Sequence, residues 1–434
     1  MRIARSEVTP SEANSTSSAD IAPPPECILP DHKHGRRKRI LVFGIGLVAL
    51  AAAFSARPLF DSWKAQQVAD FRKKELQYRV NCLAAYDEQH WKKVELIARE
   101  WTKWNANTSD GWLLLGDALQ KQADYAGAVN ALLMVPKTSH KAVPSYLEAS
   151  HIQFGMAGQP REGVETCRRI LTIEPSCMDA WRRIIFFYAI TLERAEMLQE
   201  IQNAIRAGGA PREAYVYLVL ADHLMFTNGF ELASRWSTAQ PDDDLFTVAR
   251  AIHLNEILDR AEDQDAEPQF ARDARRKSLR DMLSQFPQNT QLLRFFLSQS
   301  LLDVQVTQVG QLLAMLPDVA ASDSVFWRIR GWYLKEQGQL QQAAEAYRTS
   351  LELHAFDWRA RFELSEVERQ LGNTDEAREL RSVGLLGKEL RKELVQLPNA
   401  TEVSPELLKQ IEFYARRCGD RGVADAIRVQ FFQN

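Results

Sequence analysis

Cysteine, glycine and proline are scarce in this sequence: of 434 residues, 5 are cysteine, 20 glycine and 17 proline. The cysteines form no CxxC pair, which argues against a zinc knuckle or a thioredoxin-like motif. We expect free or buried thiols, with a Cys167–Cys177 disulfide as the alternative in an oxidising compartment. The low glycine and proline content after residue 60, without any alternating strand pattern, predicts an all-α fold.

Charge of one sign is not in excess either. Lysine and arginine together number 54, and aspartate and glutamate 57, so the net charge is -3. A general nucleic-acid binder normally shows a basic excess, so we expect no nucleic-acid partner. The hydrophobic share of 45% and the charged share of 26% are ordinary for a soluble protein, which indicates that most of the chain folds.

Signatures of catalysis are missing as well. The sequence has no GxGxxG, GxxxxGKS/T, HExxH or GxSxG motif, and its eight histidines form no pair at helical spacing. We therefore predict no catalytic, cofactor-binding or metal-binding residues. His151 falls at a helix-packing position and is interpreted as a core histidine. Asp242, Asp243 and Asp244 are interpreted as a helix start, where carboxylates favour the helix dipole, rather than as a cation site.

The first sixty residues differ from the rest in composition. Residues 1–35 are rich in Ser, Thr and Pro and are predicted to be a disordered tail, because they bury too little apolar surface to offset their ordering entropy. A basic collar follows from Arg36 to Arg39, and then an uncharged run from Ile40 to Ala56. Seventeen residues are close to the minimum for crossing a bilayer core, so residues 40–56 are predicted to form a transmembrane helix in contact with lipid.

The position of the basic collar sets the predicted topology. Lys and Arg before the span keep the N-terminus in the cytoplasm and place the following chain outside it, in the periplasm or an equivalent compartment. We favour an uncleaved single-pass signal anchor. A cleavable signal peptide that ends at the small residues "AFSA" (53–56) is the alternative.

After residue 60, apolar residues recur at i, i+3, i+4 and i+7, and a longer period is superimposed on this helical one. In "WRIRGWYLKEQGQLQQAAEAYRTS", the residues Gly331 and Ala343 are followed thirty-four positions later by Ser365 and Ala377. The segment "WLLLGDALQKQADYAGA" shows the same pattern near residue 112. One helical unit is therefore predicted to occur several times along the chain.

These residues and this period resemble the tetratricopeptide repeat (TPR) family, whose signature contains a Trp, a Leu-Gly pair, a Tyr and a later Ala. The resemblance implies an α-solenoid of helix hairpins. In each hairpin a small residue on the first helix admits a large one from the second, and hairpins stack because none buries its apolar face alone. The small positions are held by Gly116, Gly331 and Ser365 on first helices and by Ala128, Ala343 and Ala377 on second helices.

The repeat signature does not cover the chain evenly. Arg330 stands where the family prefers Leu, and Pro136 arrives several residues early. In the C-terminal segment, Ser404 is predicted to cap a final helix pair and Gly419 to break it. The predicted segments are 1–35 (disordered tail), 36–60 (basic collar and transmembrane signal anchor), 61–243 (TPR-like repeats), 244–322 (degenerate helical repeats or an insertion), 323–386 (TPR repeats) and 387–434 (C-terminal helical cap).

In this family, defined positions of the first helices line a concave surface. Carried over to this sequence, the resemblance implies partner contacts by Arg182, Phe186, Arg328, Trp332, Lys335, Arg359, Phe362 and Arg369. Cationic and aromatic side chains on one wall suit an acidic or aromatic peptide, through charge-assisted hydrogen bonds and cation–π contacts. We therefore expect a protein or peptide ligand on the concave face.

The function expected from these observations is that of a membrane-anchored scaffold for protein–protein interaction, with its repeats outside the cytoplasm. No enzymatic activity and no cofactor are predicted. Two alternatives stay open: an envelope assembly factor that binds glycans, and an enzyme with its active site in residues 244–322.

Overall fold

The computed structural model describes residues 35–222, 226, 228–260 and 269–432, with side chains described from residue 60 onward except at 260 and 269. Its helices are α1 (Gly35–Asp87), α2 (Trp91–Trp104), α3 (Ser109–Lys121), α4 (Tyr125–Leu133), α5 (Ala142–Phe154), α6 (Pro160–Leu171), α7 (Met178–Ile190), α8 (Arg194–Arg206), α9 (Arg212–Leu220), α10 (Gly229–Ala239), α11 (Asp244–Arg260), α12 (Gln269–Gln285), α13 (Thr290–Leu302), α14 (Val306–Ala314), α15 (Ser324–Glu336), α16 (Leu340–Leu353), α17 (Trp358–Gln370), α18 (Thr374–Val395), α19 (Pro405–Cys418) and α20 (Arg421–Phe432). No strand occurs within these described ranges, which confirms the predicted all-α class.

The chain divides into two units, Met1–Lys74 and Glu75–Asn434. In the first unit, the rings of Phe60 and Trp63 in the middle of α1 stack with centroids 6.0 Å apart. The ammonium group of Lys64 lies 4.4 Å from the centroid of the Phe60 ring.

The predicted N-terminal segments fall largely outside the described residues. Residues 1–34 lie outside them, and for residues 35–59 only the helical backbone is described. Within the described part of the chain, no helix combines the length and the apolar content that a bilayer-spanning segment requires. The disordered tail (1–35) and the transmembrane span (40–56) therefore stay predictions.

The second unit is built from helix hairpins whose close packing depends on small residues. A Cβ atom added to Gly331 on α15 would lie 2.9 Å from the Tyr347 ring on α16, and one on Gly116 would lie 2.7 Å from Leu132. Ala343 is fully buried in the same hairpin as Gly331. The prediction that a small residue on one helix of a hairpin packs against a large residue on the other is confirmed at these positions.

Side-chain caps fix where several of these helices begin. Asp323 accepts a hydrogen bond from the backbone N–H of Val325, and Asp357 accepts one from Ala360. Such caps satisfy backbone donors that the first helical turn leaves without partners. Ser404 caps α19 by accepting from the backbone N–H of Leu407, and Gly419 ends that helix in a left-handed conformation with φ of 87°, as predicted.

The C-terminal helices pack on the middle of the second unit as well as on their predecessors. The phenol of Tyr215 on α9 donates to the side-chain oxygen of Gln430 on α20 at 3.0 Å. The amide nitrogen of Gln430 donates to the carbonyl of Ala210 at 2.8 Å, and the Phe431 ring lies edge-on to Tyr215. Residues 387–434 were predicted to be a terminal cap, and these contacts show that the segment also joins distant repeats.

The histidine assignment was wrong. His151 is exposed because it lies on the outer side of α5, whereas His253 and His354 are buried. His253 contacts the carbonyl of Ile190 through Nε2 at 2.8 Å, and burial lowers the pKa of its ring. Burial, assisted by the nearby Arg194, lowers the pKa of His354 to about 3, so that ring is neutral near pH 7.

The aspartate and cysteine predictions are also resolved. Asp244 begins α11, and Asp243 pairs with Arg161 at 2.6 Å, in agreement with a helix start. Cys167 and Cys177 are free, buried thiols, so the alternative of a disulfide between them was wrong. Burial raises the pKa of the Cys167 thiol to about 11, which keeps the thiol protonated and weakly reactive at neutral pH.

Candidate binding cavity

Helices α7, α8, α11, α13, α15 and α17 surround a cavity of about 580 Å³ in the second unit. This volume falls in the range of sites for small molecules and short peptide segments, roughly 300–1,000 Å³. Aromatic side chains form much of its wall, among them Phe295, Trp332, Trp358 and Phe362. Leu302 also lines it and is 80% exposed, so an apolar side chain lies open to solvent here.

Some of the predicted partner-binding residues meet at this cavity. Those that line it are Arg328, Trp332, Arg359 and Phe362. They come from α15 and α17, the first helices of two successive hairpins. The repeat register thus brings these four side chains together at one cavity.

The other four predicted residues lie outside the cavity lining and contact the protein itself. Arg182 pairs with Asp179 at 2.6 Å and also with Glu213, and the Phe186 ring lies edge-on to Phe226. The ammonium group of Lys335 lies 2.6 Å from Glu363.

Arg369 is exposed near the end of α17, where it pairs with Glu366 three residues earlier. Surface pairs of this kind contribute little to stability. A partner that uses Arg182, Lys335 or Arg369 therefore has to compete with an existing carboxylate.

A buried ion network forms part of the cavity wall. The guanidinium of Arg194, which is 4% exposed, donates to Asp323 at 2.8 Å and to the Ser324 hydroxyl at 2.9 Å. It also lies 2.6 Å from Asp222, whose second oxygen is 3.0 Å from Arg328. These contacts join α8, the chain after α9 and the start of α15.

Arg328 extends the network to α17. Its Nε atom lies 3.0 Å from a carboxylate oxygen of Asp357, the residue that caps that helix. Although N and O are close, the N–H of Nε is not aligned for a hydrogen bond, so the contact is an ion pair. Each buried charge of the network needs an oppositely charged partner, because an unpaired buried charge is strongly destabilising.

Arg359 differs from the other arginines of the cavity. Its guanidinium lies over the ring of Trp358, 5.2 Å from the centroid, and no carboxylate oxygen among the described residues lies within the 4.0 Å of an ion pair. Burial, together with the neighbouring positive charge of Arg328, lowers the pKa of Arg359. An arginine side chain nevertheless stays protonated in proteins, so a charged group that makes no ion pair with the described carboxylates lines the cavity.

Several residues that shape this site were not predicted from the sequence. Trp358 and Phe295 line the cavity, and Arg194 and Asp222 hold its helices in place. Trp358 directly precedes Arg359, and a large aromatic residue next to a predicted contact residue could have indicated the site. It was not predicted because it does not occupy one of the family's inner-face positions. Phe295 belongs to 244–322, where α11 and α13 contribute part of the cavity wall without carrying the repeat signature.

Residues 330–381 match the family model described as tetratricopeptide repeat. They run from the Gly331 position through α16 and α17 into α18, the hairpins in which small residues meet large ones. The chain contains tetratricopeptide repeats in this segment. The match to the TPR model includes Trp332, Arg359 and Phe362, so these cavity residues belong to the repeats themselves.

Comparison with solved structures gives matches of low sequence identity and low TM-score. A chain of the APC/C hetero-tetramer Cut9–Hcn1 is 13% identical to this one. The match covers 82% of this chain and 79% of that chain, with a TM-score of 0.29. The human IFIT1 dimer with m7Gppp-AAAA is 12% identical, with coverage of 82% and 75% and a TM-score of 0.31. No curated protein matches the sequence.

Proposed function

We propose that this TPR protein is a membrane-anchored scaffold that holds a segment of a partner protein in the cavity between α13, α15 and α17. Stacked helical repeats in general offer extended surfaces for protein–protein interaction. The observation that carries the proposal is the aromatic cavity of about 580 Å³, which is lined by first helices of the repeats.

The lining fits a peptide better than a strongly polar ligand. Trp332, Trp358 and Phe362 provide apolar area, and Trp332 is only partly buried by its neighbours. Aromatic anchors in well-packed pockets contribute most of the affinity in protein interfaces. The buried ion network fixes α8, α15 and α17, so the cavity is largely formed before a ligand binds.

The sequence supports an anchored topology for this scaffold. The basic collar at Arg36–Arg39 and the uncharged run at 40–56 suit a single span with the repeats outside the cytoplasm. Confinement to a membrane raises the effective concentration of the repeats for a partner at the same surface.

A peptide-display selection on the full chain in lipid nanodiscs tests the proposal. Enriched peptides are expected to bind the wild type and to lose about tenfold or more in affinity with Trp332→Ala, since that ring lines the cavity. Phe413→Ala is the matched control, because Phe413 is an exposed aromatic residue on α19 away from the cavity lining.

Peptide affinities that stay the same in both Trp332→Ala and Phe362→Ala would contradict the proposed site. Binding of the same chains to an array of envelope glycans tests the main alternative, a glycan ligand. Glycan binding that depends on Trp332, with no enriched peptide, would replace a protein partner by a glycan in the same cavity.

A further inference from the structure

We propose that Arg359 is the anion-binding position of this cavity and that it holds the side-chain carboxylate of an acidic residue in the partner segment. An aromatic or large aliphatic residue next to that acid packs against Trp332 and Phe362. The inference rests on the proposed function, because it names the chemical class of ligand for the same cavity.

The pattern of ion pairs singles out Arg359. Every other arginine that lines the cavity has a carboxylate oxygen within 3.5 Å. These pairs are Arg194 with Asp222 and Asp323, Arg294 with Asp323, and Arg328 with Asp222 and Asp357. Among the described side chains, Arg359 is thus the cavity arginine without an acidic partner.

The acidic residues of the lining are also engaged. Asp259 pairs with Arg275 at 3.1 Å, and Glu363 pairs with Lys335 at 2.6 Å. Glu256 on α11 has an interaction partner as well. None of these carboxylates comes within ion-pair distance of Arg359, so a ligand anion there would displace no existing ion pair of that residue.

The environment of Arg359 favours a bound anion. The side chain is partly buried, and the like charge of Arg328 is nearby. Asp222 and Asp357 act on Arg359 only from beyond ion-pair distance, so its guanidinium has lost hydration without gaining a direct carboxylate contact. A carboxylate can accept two parallel N–H···O bonds from a guanidinium, which makes it the best-matched anion. The cation–π contact of Arg359 with the Trp358 ring, at 5.2 Å from the centroid, restricts the positions that the guanidinium adopts.

The neighbouring aromatic groups specify what accompanies the acid. The Phe362 ring lies edge-on to Trp358 with centroids 5.8 Å apart, one helical turn further along α17. Trp332 on α15 and the exposed Leu302 on α13 line the same cavity. An acidic residue adjacent to an aromatic or large aliphatic residue satisfies both the charge and the apolar wall.

Fixed-position peptide pools test this inference on the full chain in lipid nanodiscs. The probes are blocked hexapeptide pools, randomised except for one fixed Glu, Gln or Lys, and retention is measured by mass spectrometry. The Glu pool is expected to be retained at least about tenfold more than the Gln pool, as expected for a charge-assisted hydrogen bond. Arg359→Gln should reduce Glu retention to the Gln level.

Two further variants control for folding and for general charge effects. Arg359→Lys keeps the charge but loses the planar pair of donors, so it should retain part of the Glu preference. Arg378→Gln removes an exposed arginine of α18 and should leave the preference unchanged. Circular dichroism of each variant shows whether the helices are intact.

The outcomes separate this inference from the proposed function. Equal retention of Glu and Gln pools, or a Glu preference that survives Arg359→Gln, would overturn the inference while Trp332-dependent binding keeps the scaffold proposal. Peptide retention that is unchanged by substitution of either Arg359 or Trp332 would overturn the inference and the proposed function together. Binding of phenylpropionate without retention of any pool would place a small organic acid in the cavity and overturn the peptide ligand.

Discussion

The guanidinium of Arg194 donates a hydrogen bond to the carboxylate of Asp323 at 2.8 Å, although 129 residues separate them along the chain. Both side chains are almost fully buried, at 4% and 9% exposure. The pair therefore joins α8 to the start of α15 across the helices in between, and it positions one wall of the cavity.

Arg194→Met tests how much this buried pair stabilises the repeats. The substitution leaves Asp222 and Asp323 with fewer partners in a buried site, so the free energy of unfolding should fall by about 3 kcal/mol or more. Arg378→Met removes an exposed pair with Asp375 and should cost less than about 1 kcal/mol. Chemical denaturation followed by circular dichroism provides the comparison. Equal losses in the two variants would contradict the role of the network.

Gly331→Leu tests the close packing within the hairpin of α15 and α16. Because a Cβ atom at this position already lies 2.9 Å from the Tyr347 ring, the larger side chain should lower the free energy of unfolding by about 1–3 kcal/mol. Gly422→Leu is the control, since Gly422 is an exposed helical glycine whose nearest contact would be at 3.5 Å. An unchanged melting curve for Gly331→Leu would count against the repeat register.

Glu193 gives the protein a specific pH dependence. Burial, with a further contribution from Glu196, raises the pKa of this carboxyl from 4.5 to about 7, although Thr191 donates to it at 2.7 Å. The folded chain therefore prefers the protonated form. The contribution of Glu193 to the free energy of unfolding is largest below about pH 4.5 and should fall, by up to about 3 kcal/mol, as the pH rises through about 7.

Glu193→Gln isolates this effect from other titrating groups. The variant should be more stable than the wild type at pH 8 and should differ little from it at pH 4.5, because glutamine resembles the protonated acid. Denaturation midpoints of the two chains across this range give the difference. Parallel pH profiles for both proteins would show that Glu193 does not carry the dependence.

The predicted anchor has its own test. We expect the full chain to sediment with membranes and to resist alkaline carbonate extraction, because residues 40–56 suit a bilayer core. Deletion of 40–56 should release it. Protease added from outside should digest the repeats and leave an N-terminal tag intact. Recovery of the undeleted chain in the soluble cytosolic fraction would contradict the anchored topology.

Local features of the fold were predictable from the sequence. The positions of Gly331, Ala343 and Ser404 follow from a short-range period and from helix-capping preferences, which depend on residues close in sequence. Four of the predicted binding residues also line the cavity, because the repeat register decides which side of a first helix faces inward.

Contacts between distant segments were not predictable in the same way. The register placed Arg182 and Lys335 on an inner face, but it could not show that Glu213 and Glu363, on later helices, already neutralise them. The pairing of Arg194 with Asp323 and the docking of α20 on α9 depend on small rotations that accumulate over many repeats. The repeat period in the sequence does not specify these accumulated rotations.

The docking of α20 also affects the order in which the protein is completed during synthesis. Tyr215 leaves the ribosome 215 residues before its partner Gln430. At typical rates of translation this interval lasts about 10–40 s, during which that side of α9 is without its final cover. The apolar side of α9 that contacts α20 can therefore become buried only after the last helix has emerged.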